Sequence, residues 1–564
     1  MKRKCLVVGI ILLFIGTAII PSSGQKIENL SFPASRGHWL CVGGSGPGNY
    51  TSIASAIRDA SDGDTIFVFH DSSPYYEHVT IDKKISLIGE NKKTTVIDGQ
   101  YSDDVVHISS DHVILSGFTL TRGGKLGFPN YDDAGVDIES NYNNITDNLI
   151  QSNGWFGVLI GSYNAPLTAH NQISHNVIIN NSYGVYMMWS IGNVVRNNTV
   201  CDNRREGFYL SGSPCSSNKI IDNNISFNRF NGVRIEDGSS NIIEGNIISS
   251  NNESGIDIAW DSNSNKIINN HIEKNLWDGI YLFNGQHGVV TGNTIGGNQL
   301  EGLKLDGAVY TSIINNSFIS DGLFLNSYQG NSISGNTVNG KPLLYLNKQQ
   351  DQVIENAGQV IVVECNSITI KNCNISYTDW GILLSSSNDC SILNNHIYNI
   401  TENAVCIFNS TIINIQDNNI SQTGAGGIFV QGGSSNTFIN NSIVNNIAYG
   451  MDFDSSSHNV LRGNVFSNDG DYGIWLAGAY DNSIRFNDFL NNTHVIIESA
   501  YLNGMGFNAN HWFHNYWGRP HVLPKAILGI RYFYINIFYG ILIPIPIVNF
   551  DFFPAQTPNH KIGT

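Results

Sequence analysis

Short runs of alternating apolar and polar residues recur along this chain, each led by a small residue. They read Gly207-Phe-Tyr-Leu, Gly232-Val-Arg-Ile, Gly255-Ile-Asp-Ile, Gly279-Ile-Tyr-Leu and Gly302-Leu-Lys-Leu, at spacings of 25, 23, 24 and 23 residues. After a gap the series resumes with Gly381-Ile-Leu-Leu, Ala404-Val-Cys-Ile, Gly427-Ile-Phe-Val, Gly450-Met-Asp-Phe and Gly473-Ile-Trp-Leu, every 23 residues. A second element, Asn-x-Ile or close to it, keeps a fixed offset from the first. It is placed at Asn224, Asn246, Asn270 and Asn293, then at Asn395, Asn418, Asn441, Asn464 and Asn487. Both elements alternate with a period of two, which is that of a strand with one buried face. No stretch within the repeats keeps a helical period. A unit of this size cannot bury a core alone, so the units must stack. With two or three short strands per turn, the predicted fold is all-β: a parallel β-helix of roughly 17 to 19 coils.

The corner asparagines have two physical uses. Gly and Asn tolerate left-handed φ at a tight corner. An amide also carries both a donor and an acceptor, so asparagines stacked from coil to coil can satisfy one another inside the rod. Solvated turn residues are the alternative.

The pattern divides the chain. Residues 1–24 read as a signal peptide: Lys2-Arg-Lys, an apolar run from Leu6 to Ile20, and a cleavage zone at Pro21-Ser-Ser-Gly. An uncleaved anchor helix is the rival. Residues 31–64 form an N-terminal cap, in which Ile53, Ala56, Ile57 and Ala60 share one side of a short helix. The first β-helix segment spans 65–340 and the second 364–510. Between them, 341–363 is an interruption loop or a kink. Residues 511–564 make an irregular C-terminal cap. Its apolar stretch from Ile527 to Val548 contains Arg531, Asn536, Pro544 and Pro546, which argue against a membrane span.

Composition changes this picture little. A length of 564 residues would suggest several domains, but a solenoid grows without enlarging one core. The net charge is −16, and −19 once Lys2, Arg3 and Lys4 are removed. An acidic rod without a Lys/Arg cluster argues against nucleic acid and anionic membrane as partners. No CxxC occurs, so zinc ribbons are excluded. Export would permit disulfides, but seven Cys beyond Cys5 leave at least one unpaired.

The chain resembles the NosD-like right-handed β-helix family, also described as carbohydrate-binding and sugar-hydrolase (CASH) domains. The likeness rests on three places. The opening runs from Asn49-Tyr-Thr-Ser-Ile to Gly63-Asp-Thr-Ile-Phe-Val, and the Asn-x-Ile…Gly-Ile-x-Leu repeat covers most of the chain. The segments Gly340-Lys-Pro-Leu-Leu-Tyr-Leu and Asn515-Tyr-Trp-Gly are similar to ones in archaeal exported members. The resemblance implies the fold and a secreted or cell-surface location. It does not choose among binder, accessory protein and enzyme. The catalytic motifs of pectinesterases and polygalacturonases are not visible.

Candidate chemistry lies on the outward face of the glycine-led strands. One column reads Tyr186, Tyr209, Arg234, Asp257, Tyr281, Lys304 and Phe324; a second reads Met188, Ser211, Glu236, Ala259, Phe283, Asp306 and Asn326. Aromatic faces stack on sugars and charged groups hold hydroxyls or uronates, so this strip suits a polysaccharide or surface glycan. In the binding reading Tyr186, Tyr209, Arg234, Tyr281, Phe283 and Asp306 contact the chain. In the enzyme reading Asp257, Glu236 and Lys304 act as base, acid or charge stabiliser in a lyase, hydrolase or epimerase. In the plainest reading these are surface pairs worth about 0–1 kcal/mol each, on a structural spacer. No cofactor is required. Asp132, Asp133, Asp137 and Glu139 cluster closely enough to suggest Ca²⁺. His511 and His514 invite a copper reading through the family name, but two His alone are a weak ligand set.

Overall fold

The computed structural model describes residues 37–125, 133–162, 166–492, 498–501, 510–535 and 541–560. The signal peptide read at 1–24 and the candidate ligand Asp132 lie outside the described residues. The described chain is a parallel β-solenoid of about 19 turns. In its first half three ladders run side by side. One goes from Trp39–Val42 through Thr65–Val68 to Ser332–Ser334. Another goes from Val96–Asp98 to Thr337–Val338. The third carries the glycine-led strands, from Val79–Ile81 to Leu323–Leu325.

The alternation seen in the sequence is the reason these strands face as they do. Ile220, Ile225, Val233 and Ile235 of one coil, and Ile243, Ile248, Ile256 and Ile258 of the next, are all buried. Each stacks on its equivalent one coil away, in register. The leading glycine serves close approach rather than turning. A Cβ on Gly255 would lie 2.7 Å from the carbonyl oxygen of Gly279 and 2.7 Å from Cγ2 of Ile272.

Asparagines fill the inside of the corners as continuous ladders. The backbone N–H of Asn198 donates to Oδ1 of Asn223 (2.9 Å), Asn223 donates to Asn246 (2.8 Å), and Asn246 to Asn270 (2.9 Å). The side-chain Nδ2 of Asn223 also donates to Oδ1 of Asn246 at 3.0 Å and to the carbonyl of Val195 at 2.9 Å. The ladder residue here is Asn223, whereas Asn224 is exposed. The two uses expected of one asparagine are also divided between neighbours. Left-handed φ falls on the residue before the ladder asparagine, at Asn197, Asp222 and Asn269. That residue turns the chain and aims the next side chain inward. Two ladders end on a carboxylate: Asn298 donates to Asp321 at 2.7 Å, and Asn515 to Asp551 at 3.1 Å.

The N-terminal end is closed by the helix Ile53–Asp59, which buries Ile53, Ala56 and Ile57. Glu77 accepts from the backbone N–H groups of Ile53 and Ala54, both at 2.9 Å. Lys83 Nζ donates to the carbonyls of Ile57 and Ala60 at the other end. Groups left over at both ends of a short helix are thereby satisfied.

The interruption at 341–363 is not a loop. It holds the strands Lys341–Asn347, Val353–Ile354 and Gln359–Val363. Gly340 has φ of 76° and turns the chain into a hairpin, so that Lys341–Asn347 begins antiparallel to Thr337–Val338. The strand then pairs in parallel with Gln359–Val363 and starts a second rod. Alternate residues there serve two cores. Val360, Val362, Ile382, Leu384, Val405 and Ile407 point into the second rod, while Ile361, Val363, Leu383 and Cys406 pack on the end of the first. A sheet face of the second rod therefore closes the open end of the first.

The tail departs from an irregular cap as well. Lys525–Ile535 and Ile541–Asp551 pair as a long antiparallel hairpin, and Glu498–Tyr501 pairs in parallel with the first of these. Among the described residues no helix is long and apolar enough to cross a membrane. The seven described cysteines are all free.

Candidate functional site

The outward column predicted from the sequence is a true ladder. Tyr186 pairs with Tyr209, Tyr209 with Arg234, Arg234 with Asp257, Asp257 with Tyr281, Tyr281 with Lys304, and Lys304 with Phe324. Its side chains form three groups. In the first, the guanidinium of Arg234 donates through Nε to Glu236 at 2.8 Å and lies 3.5 Å from Asp257. The hydroxyl of Tyr209 donates to the other oxygen of Glu236. Burial pushes the Asp257 carboxyl up to about 6, and Arg234 only partly opposes it. One Asp257 oxygen, Oδ1, is buried without a hydrogen-bond partner. Burial raises the Tyr209 hydroxyl, and Glu236 adds to that shift.

The second group joins Tyr281, which donates to Asp306 at 3.2 Å, to Phe283 and Trp260. Trp260 is 55% exposed and stands edge-on to Phe283 at 5.3 Å. The third group lies where the rods meet. Lys304 Nζ is 3.4 Å from Glu301 and sits over the Phe324 ring, which stacks at 4.8 Å on Trp380 of the second rod. Toward the N-terminus, Tyr186 and Tyr209 pack against a wall of Phe156, Leu159 and Tyr183. Arg205 lies over the Tyr183 ring at 5.3 Å.

The structure does not bring the three candidate catalytic residues together. Asp257 and Glu236 share Arg234, but Lys304 belongs to a different group. Two coils separate Lys304 from Asp257, or about 10 Å at the interstrand spacing. In the second column Met188 and Ala259 are buried and offer no contact surface.

The sequence reading passed over a buried acidic column beside the strip, formed by residues next to the leading glycine. Glu206, Asp278 and Glu301 are all buried. Asp278 is pushed up to about 8, first by burial and then by Glu301 beside it. Glu402 of the second rod is also raised, by burial and by the charge of Glu301. The column's signal in the sequence is an acid directly before the leading glycine, at Glu206, Asp278 and Glu301, with Asn231 and Ser254 in the coils between. Continued into the second rod, the outward column itself gives Phe429, Asp452 and Trp475, which are ladder neighbours. Burial pushes Asp452 up to about 7, and nearby Tyr449 stacks on Tyr472 while Trp475 is tilted against both rings.

The acidic cluster read as a Ca²⁺ site is arranged differently. Asp137 pairs across the ladder with His107 of the preceding coil, and with Asp104 the three bring their donor atoms within 4.8 Å of one another. Asp133 and Glu139 are not part of that group.

A family model for the periplasmic copper-binding protein NosD matches residues 60–276 and 329–521. The chain belongs to the NosD family. A second model, for the right-handed β-helix region, matches residues 258–379. No curated protein matches the sequence. Among solved structures, the Dettilon tailspike protein is similar at 16% identity and a TM-score of 0.41, covering 50% of this chain and 62% of its own. A pectate lyase has 14% identity and a TM-score of 0.35, over 53% of this chain and 79% of its own. A PL6-family alginate lyase has 11% identity and a TM-score of 0.31, over 83% and 95%. Their likeness to this NosD-family chain is one of fold.

The family description raises copper. His511 and His514 form no three-ligand group with another His, Cys, Asp or Glu among the described residues. His511 Nε2 is 3.9 Å from Asp481, and Nδ1 of His514 lies 3.2 Å from the carbonyl oxygen of Phe553. The donors of Asp104, His107 and Asp137 are one imidazole nitrogen and two carboxylates. Such a set suits a divalent ion, Cu(II) included, whereas Cu(I) calls for thiolate or thioether ligands.

Proposed function

We propose that this protein is an extracytoplasmic glycan-binding β-helix, and that the strip from Tyr186 to Phe324 receives an extended chain of uncharged sugars. The location follows the periplasmic character of the family. The observation that carries the ligand class is the state of the charges on the strip. Both cations, Arg234 and Lys304, are already matched by Glu236, Asp257 and Glu301. A uronate would therefore meet a mainly acidic face, while sugar hydroxyls would find carboxylate acceptors and aromatic planes.

The test is a glycan array on the intact protein, followed by calorimetry on each hit. Tyr281→Ala should weaken binding of a neutral glycan by about tenfold, the effect of removing one stacking contact of roughly 1–1.5 kcal/mol. Tight binding of polyuronates with no neutral hit would overturn the ligand class.

One observation favours a second reading, a glycan-cleaving enzyme. Burial pushes the Asp257 carboxyl up to about 6 and leaves one of its oxygens without a hydrogen-bond partner, as suits a general acid. Product analysis of each bound glycan decides it. Shortened chains that disappear with Asp257→Asn would make the strip an active site; intact chains leave it a binding surface.

A further inference from the structure

The ladder that carries the strip continues towards the N-terminus through Leu159 to Asp137 and His107. Here the chemistry changes from stacking to ligation. His107 Nδ1 lies 2.9 Å from Oδ2 of Asp137 and 3.9 Å from Oδ2 of Asp104. A coordination shell with bonds of about 2.0–2.2 Å has edges of roughly 3–4 Å, so these three atoms can hold one ion after small adjustments. The opposite ring nitrogen, Nε2, is 3.9 Å from Oε2 of Glu139. That is longer than a hydrogen bond, and a closer approach of Glu139 would make it the carboxylate that orients a metal-bound histidine. The supporting backbone is regular: His107 and Asp137 stand opposite each other on paired strands, and Asp104 is fixed by accepting from the backbone N–H of Ala134 at 2.5 Å.

We propose that Asp104, His107 and Asp137 bind a divalent transition-metal ion, with Glu139 orienting the histidine. The site is independent of the glycan reading. A nitrogen donor and two carboxylates favour Zn²⁺ or Cu²⁺ over Ca²⁺, which prefers six to eight oxygens.

Calorimetry on the full, untagged protein with Zn²⁺, and separately with Ca²⁺, tests this. One Zn²⁺ per chain is expected, with Ca²⁺ at least tenfold weaker. Asp137→Asn and His107→Ala should each lower Zn²⁺ affinity by about 100-fold or more. Glu139→Gln, at a more exposed position, should lower it by about tenfold, in the range of an outer-shell partner. Electron paramagnetic resonance with one equivalent of Cu²⁺ should show a single coordinating nitrogen that His107→Ala removes. Far-UV circular dichroism checks that each variant keeps its β-structure, and Glu139→Gln keeps the test open if a buried variant does not fold. Failure of the folded wild type to take up Zn²⁺ overturns the proposal. So does uptake that none of the three substitutions changes, since the ion would then sit elsewhere.

Discussion

A single position separates an asparagine that holds the rod together from one that only faces water. Asn223 accepts from the coil before it and donates to the coil after it, whereas Asn224 points out. Replacing Asn223 with alanine would strand the buried backbone N–H of Asn198. Such a group costs about 1–3 kcal/mol. Asn223→Ala should therefore lower the stability to chemical denaturation by that amount, and Asn224→Ala should change it by less than about 0.5 kcal/mol. Equal effects would mean that the ladder contributes nothing beyond its shape. The repeating asparagine was legible in the sequence because its period matches that of the coils. Its register was not, since Asn223 and Asn224 are adjacent and only the left-handed residue before them decides which points inward.

At the scale of a strand, the leading glycine and the outward column are two sides of the same packing. The glycine lets one coil sit directly on the next, which is why the outward side chains line up at a fixed spacing. Gly255→Ala would place a methyl group against the carbonyl of Gly279 and the side chain of Ile272. Overpacking of this kind costs about 1–3 kcal/mol. A thermal or denaturant melt should show the loss, accompanied by weaker glycan binding as Asp257 and Arg234 move out of line. Unchanged binding would separate the strip from the coil packing. Period-two alternation alone makes the column from Tyr186 to Phe324 readable in the sequence. It could not show the partners that arrive from corners and from the preceding coil. Asp104 joins Asp137 from 33 residues earlier in the chain, and Trp380 reaches Phe324 from another rod. Such meetings depend on how many residues each corner contains, and the corners here vary in length.

At the scale of the whole molecule, the chain is two rods joined by a buried, acid-rich contact. Asp379 of the second rod accepts from the backbone N–H groups of Gly302 at 2.8 Å and Gly322 at 2.7 Å in the first. Gln359 bridges the backbone of Leu323 in the same interface. Burial holds the Asp379 carboxyl well above its usual range, Asp321 adds to the shift, and Asp321 is itself pushed up to about 7. The sign follows from linkage. A carboxyl raised in the folded protein keeps its proton after the unfolded chain has lost its own near pH 4, so stability falls as the pH rises through that interval. Each proton retained in this way contributes up to about 1.4 kcal/mol per pH unit. Asn at position 379 would keep an acceptor for the two N–H groups and carry no charge. Thermal melts between about pH 5 and pH 8 should show the wild-type protein losing stability, and Asp379→Asn losing distinctly less. Other buried acids, such as Asp278, push the same way in both proteins, so the difference between the two curves isolates the junction. Parallel curves would place the proton on another carboxyl and leave the contact between the rods insensitive to pH.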